Sequence, residues 1–155
     1  MHKRLALVVI LFSALSLVSG CAINRATATL TPGTDLSQTK TYYVVQVPAD
    51  ERGIQNLIRD NLLKRGFSAT AGPEIPQGTY KADAVVTYVD KWMWDITMYM
   101  LELTITLRNP ATGFPMAIGN SYHTSLTRKS PEEMVNEVVT NIFNNPNQGS
   151  KGGGQ

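Results

Sequence analysis

Thiols and imidazoles are scarce in this 155-residue sequence: Cys21 is the one cysteine, and His2 and His123 are the two histidines. A single thiol makes no internal disulfide, so packing alone has to hold whatever domain forms. Zinc takes three or four His, Cys or carboxylate ligands at suitable spacing, and no such set stands out. An excess of one charge is missing as well. The 14 basic residues outnumber the 12 acidic ones only through Lys3 and Arg4. Without residues 1–20 the chain is formally neutral, which gives no argument for nucleic acid or for electrostatic attraction to anionic lipid. Asp90, Asp95 and Glu102 follow no calcium-loop spacing, and carboxylate pairs of glycosidase type are set by a separation that sequence does not give. The tail glycines open no helix, as those of a phosphate loop would. No metal and no cofactor is expected.

Long apolar runs are limited to one. Leu5 to Leu17 is interrupted only by Ser13 and Ser16, and it falls short of the roughly 20 residues that span a bilayer. Placed after Lys3 and Arg4, it has the make-up of a signal-peptide core. Val18, Ser19 and Gly20 then lead into Cys21, and this order resembles the lipobox of bacterial lipoproteins. The resemblance implies that residues 1–20 are a signal peptide and that Cys21 becomes the first mature residue, bearing three acyl chains. At about 0.8 kcal/mol per buried CH₂ such an anchor is effectively permanent. Lipoproteins of this type are held at the inner membrane by aspartate after the cysteine; Ala22 stands there instead, which implies an outer-membrane address facing the periplasm. The rival reading of Cys21 as a buried core thiol fits poorly, because it directly follows the apolar run and precedes any core.

The mature chain reads as one α+β domain. Residues 21–40, mostly Ala, Thr, Asn, Gln and Ser with Pro32 and Gly33, are expected to form the acylated cysteine and a flexible tether. Residues 41–145 are expected to fold. Thr41 to Val47 is a β-branched and aromatic strand with Tyr43, Val45 and Val47 on one side. Asp50 is the expected N-cap of a helix through Arg65, with Ile54, Leu57, Ile58 and Leu62 on one face, Gly66 at its left-handed end and Phe67 folding back on Leu62. Ala84 to Asp90 and Tyr99 to Arg108 read as strands, the second with Leu101, Leu103, Ile105 and Leu107 inward and Glu102, Thr104, Thr106 and Arg108 outward. Asn109 to Gly113 turns into a strand from Phe114 to about Leu126, where Gly119 and Asn120 suggest a bulge. Ser130, Pro131 and Glu133 open a last helix whose stripe is Met134, Val135, Val138, Val139, Ile142 and Phe143. Residues 146–155 are expected to be a disordered tail. The sum is a mainly antiparallel sheet of about four to five strands with two amphipathic helices on one face.

The opening Pro32 to Ser37 with Lys40, Thr41 and Tyr42, the helix end Arg65-Gly66-Phe67 and the turn Asn109 to Gly113 together resemble a broad group of Gram-negative envelope lipoproteins, catalogued as a domain of unknown function. The resemblance implies lipidation and an α+β fold and supplies no catalytic residues. The layout is also similar to small outer-membrane accessory lipoproteins, an analogy at the level of fold.

Two places merit attention as sites. His123, flanked by Ser121 and Ser125, is the sole histidine after the signal region. A strand would hold the three side chains apart and no nucleophile elbow is present, so His123 reads as an ordinary strand-surface residue. Trp92 to Met100 holds both tryptophans and three of the six methionines. If extended, Trp92, Trp94, Ile96, Met98 and Met100 share one side, with Asp95 and Thr97 allowing a turn. These residues either complete the core or form an exposed patch in which Trp92, Trp94, Met98 and Tyr99 meet a partner. The resulting expectation is a non-enzymatic interaction or envelope-assembly accessory module. The alternatives are a carrier of a lipidic or glycan ligand and, third, a hydrolase.

Overall fold

The computed structural model describes residues 24–144; the signal region with Cys21, and the tail from 146, lie outside the described residues. Six strands make one open sheet: β1 (Asn24–Leu30), β2 (Thr41–Val45), β3 (Ser68–Gly72), β4 (Ala84–Asp95), β5 (Thr97–Arg108) and β6 (Pro115–His123). Their order across the sheet is β1-β6-β5-β4-β2-β3. The β1–β6, β6–β5 and β5–β4 pairs are antiparallel, whereas β2 runs parallel to both β4 and β3. The α+β class with two helices therefore holds, but the sheet is mixed and has six strands where four to five mainly antiparallel ones were expected. The helix between β2 and β3 explains the parallel pair, since two adjacent strands joined by a helix return in the same direction, and β1 is the added strand.

That helix is α1 (Ile54–Lys64), and the second is α2 (Pro131–Phe143). Asp50 does cap α1, from farther upstream than an N-cap residue stands: Gly53 takes that place at φ 70°, and the Asp50 carboxylate accepts the Ile54 amide at 2.7 Å. Burial opposes ionisation of Asp50, but the Tyr88 hydroxyl and the Arg52, Gln55 and Ile54 amides outweigh it and hold the carboxyl below its usual range. At the other end Gly66, at φ 85°, donates to Leu63 O and Phe67 donates to Leu62 O, the paired bonds of a left-handed helix stop. The Phe67 ring packs on Tyr42 and Phe143. Ser130 and Glu133 form the reciprocal cap of α2, each side chain on the other's amide.

Both helices lie on one face. They touch each other through Arg65, which donates to Asn136 Oδ1 at 2.9 Å, and through Lys64 and Glu132 at 3.0 Å. Beneath them the buried side of the sheet presents Tyr42, Val44, Val86, Tyr88, Leu103, Ile105, Leu107 and Ala117. The outward row Glu102, Thr104, Thr106 and Arg108 falls on the open face as expected, and Glu102 there pairs with Lys91 at 2.7 Å.

The tether reading of residues 21–40 is corrected from residue 24 onward. β1 pairs along its whole length with β6, and Leu36 is buried in the connection to β2. An edge strand beneath one helix needs little apolar bulk, and alternating Ala26, Ala28 and Leu30 with Arg25, Thr27 and Thr29 supplies enough. Gly119 is no bulge either. It pairs regularly with Ala28 and Ile105, and it lets α2 approach: a Cβ there would stand 2.7 Å from Val138 Cγ1. The bulges sit elsewhere. Lys91 pairs with Glu102 but Trp92 with Met100, so Leu101 is the extra residue, and the buried side of β5 passes from Leu103 to Met100.

Candidate functional site

β5 pairs with β6 only from Glu102 to Arg108. Beyond that point β4 and β5 continue as a two-stranded finger with no third strand beside them, roughly 17 Å long at 3.4 Å per residue, its base packed through Met100 and Tyr99. The four residues expected to form a partner patch all lie on it, yet the structure divides them. Trp94 and Met98 face each other as direct partners and are 69% and 47% exposed. Trp92 shares their side of the pleat but is half-buried against the core, under the Arg52 guanidinium at 4.2 Å. Tyr99 points to the opposite face, opposite Met93, and is buried beneath Arg128 at 4.4 Å. Trp92 and Tyr99 therefore brace the finger, and the exposed patch is differently composed than expected.

Its other members are Met93 and Ile96, 45% and 87% exposed. Ile96 alone makes the apex between Asp95 and Thr97, at φ 52°. A β-branched side chain in that left-handed region costs about 1–2 kcal/mol. Arg128 holds the apex from outside, donating to the Asp95 carbonyl at 3.0 Å and the Thr97 hydroxyl at 2.7 Å and pairing with the Asp95 carboxylate at 3.2 Å. Replacing Ile96 with glycine is expected to raise unfolding stability by roughly 0.5–1 kcal/mol, measured by urea denaturation, because the strain is relieved and almost no burial is lost. Ile96, the most exposed large hydrophobic side chain among the described residues, is thus kept at a conformational cost.

The second cluster surrounds His123, which is not on the surface: its register places it with Gly119 and Ser121 on the helix-covered face, almost wholly buried. Glu137 of α2 meets it there. Glu137 Oε2 accepts from Ser121 Oγ at 2.6 Å and from His123 Nε2 at 2.8 Å, while Lys129 Nζ pairs with Oε1. Burial raises the Glu137 carboxyl, but the bonds from Lys129, Ser121 and His123 outweigh it and bring it down to about 2. His123 Nδ1 is buried without a partner among the described residues. For nucleophilic catalysis the serine would hand its proton to the histidine; here both donate to one carboxylate, and Ser121 is fully buried. The cluster pins α2 to β6. Ser125 stands apart, in the short 3₁₀ turn Ser125–Thr127. Glu137 escaped the sequence reading because it lies on another element, although its place beside the buried stripe of α2 was a signal.

Among the described residues there is no group of three or more His, Cys, Asp or Glu side chains placed to hold a metal, and no helix long and apolar enough to cross a membrane. At the far end of the open face Val45, Tyr80, Val85, Thr87, Arg108 and Gly113 line a shallow hollow.

No family model and no curated protein sequence matches the chain. Solved structures do. The PelC dodecamer from Paraburkholderia phytofirmans aligns at a TM-score of 0.53 and 13% identity, over 76% of this chain and 98% of that one. A point variant of the same dodecamer aligns at 0.53 and 12%, over 77% and 96%. At that identity the likeness is one of fold: this chain shares its α+β architecture with PelC.

Proposed function

We propose that this chain is a non-enzymatic envelope module, tied to the outer membrane on its periplasmic side by acylated Cys21, that acts by contact through the tip of the β4–β5 finger. The observation that carries the reading is the tip itself. Trp94, Met98, Met93 and Ile96 are left uncovered on a hairpin that overhangs the sheet, and residues of these types are enriched where proteins meet apolar surfaces. Unlike Met100 at the base, these four side chains stay outside the core, so their apolar character is not explained by folding. The geometry of Ser121, His123 and Glu137 weighs against a hydrolase.

The test is photo-crosslinking in intact cells from position 98. We expect an adduct that disappears in Trp94→Ala, while the thermal midpoint of that variant moves by no more than about 2 °C, because substitutions of exposed side chains stay within roughly 0.5 kcal/mol. A large loss of stability would return Trp94 to the core and remove the basis of the reading. Lipid or glycan co-purifying with the domain in native mass spectrometry would favour the carrier alternative.

A further inference from the structure

We infer that the occupant of the finger tip is the surface of the lipid bilayer, so that the domain stands upright on its membrane with Trp94, Ile96 and Met98 dipped into it. The inference rests on the reading of Cys21 as the acylated residue and adds to it an orientation. It follows from sheet register. Asn24, the first residue of β1, pairs with His123, the last of β6, and Tyr122 pairs with Glu102, where the finger leaves the sheet. The N-terminal end of β1 and the tip therefore lie at the same end of the sheet. Cys21 precedes Asn24 by three residues, a reach of at most about 11 Å. The finger projects roughly 17 Å in the same direction. With the sheet upright, an anchor so short cannot hold Asn24 off the bilayer by more than the finger's own length, and the tip then meets the lipid.

The chemistry of the tip fits that occupant. Trp94 has an apolar body and a polar N–H, the combination that sits at the headgroup level, and Ile96, Met98 and Met93 give it an apolar end. The charged groups around the finger include Asp95, Arg128, Lys91, Glu102, Arg52, Arg25 and Asp90, whose carboxylate accepts the Trp92 indole N–H at the root. Asp95 is paired with Arg128, and Lys91 with Glu102. Arg52 covers Trp92 at the root of the finger, and exposed Arg25 is the second residue of β1. Cations thus stand behind the apolar end, at the depth of lipid phosphates, and the one tip carboxylate is matched. With three acyl chains retention needs no help; the tip fixes which way the domain faces. The turn Asn109–Gly113 and Phe114 then point away from the membrane, roughly 35 Å along β5.

The experiment uses the full-length acylated protein in vesicles of phosphatidylethanolamine and phosphatidylglycerol. Because the only native thiol is taken up by the anchor, Ile96→Cys and Phe114→Cys each accept one environment-sensitive label. The label at 96 is expected to shift to the blue and to lose most of its emission to brominated acyl chains, while the label at 114 stays in water. Trp92→Phe, which leaves Trp94 as the single tryptophan, is expected to give the same quenching without any label. A vesicle-bound, acylated protein whose tip stays open to aqueous iodide overturns the inference and leaves the anchor standing; so does a tip that captures a protein and shows no quenching. Equal quenching at 96 and 114 means a domain lying flat and overturns it as well. A Cys21→Ser protein that is held as firmly as the native one, with no acyl mass on the native chain, overturns the anchor itself and this inference with it.

Discussion

Replacing Gly119 with valine is expected to be the most damaging single change in the domain. An ideal Cβ at that position would stand 2.7 Å from Val138 Cγ1 and 2.9 Å from Ile142 Cγ1, against a carbon contact distance of about 3.5–4 Å. Neither neighbour has room to yield, since both are buried in the stripe that α2 lays on β6. The helix would have to lift, and with it the bonds from Ser121 and His123 to Glu137 and the cover over Ala117. Overpacking of this kind costs roughly 1–3 kcal/mol for one added group, so alanine should lower the stability by about 2 kcal/mol and valine by more than 3. Domains of this size have only about 5–15 kcal/mol to lose. Calorimetry should show the melting temperature falling by about 10 °C or more for valine. Shortening Ile142 to alanine in the same protein should recover part of the loss, because the two side chains contend for one space. An alanine variant that melts with the native protein would show that α2 does not ride as close as its side chains indicate.

Glu137→Gln is expected to come next, at roughly 2–4 kcal/mol. The amide keeps the shape but removes the charge that Lys129 and the donors Ser121 and His123 share, leaving a cation and buried polar groups with a weaker partner. The pH dependence identifies this cause. The Glu137 carboxyl is held at about 2 against its ordinary 4.5. A carboxyl lowered by folding adds stability that is complete above the unfolded value and is lost as pH falls toward the folded one. The native protein should therefore weaken between pH 4.5 and 2, by roughly 3 kcal/mol from this group, and Glu137→Gln should flatten that limb. A smaller slope should persist, since Asp50 is lowered too. Unfolding curves in urea at pH 6 and pH 3 would decide the matter; an unchanged acid limb in the variant would mean that Glu137 is not the titrating group.

Local signals were legible in the sequence where a residue type answers a local backbone need. Gly66 stops α1, Ser130, Pro131 and Glu133 start α2, and Asn109 opens the turn by accepting the Ala111 and Thr112 amides at 2.9 and 3.0 Å. What escaped depends on partners far along the chain. β1 reads as a tether because Ala and Thr look too small for a core, yet beneath α2 small residues suffice. Parallel pairing of β2 with β3 and β4 follows from which strands become neighbours, which no local pattern states. His123 looks like a surface residue until β6 is given its register and Glu137 is brought over from α2. In the finger, alternation placed Trp92, Trp94 and Met98 on one side correctly, while the extra residue Leu101 and the left-handed Ile96 decide which of them the helices cover.

The way β1 joins the sheet also governs how the domain bears load. Its seven residues pair antiparallel with β6 from Asn24 to Leu30, and a pull from upstream of Asn24 that is resisted at the opposite end of the sheet acts along the strand axis. The ladder is then strained in shear, with its bonds resisting together, rather than peeled open one rung at a time. A domain joined to its surroundings through this strand should tolerate forces that would unzip a terminal hairpin.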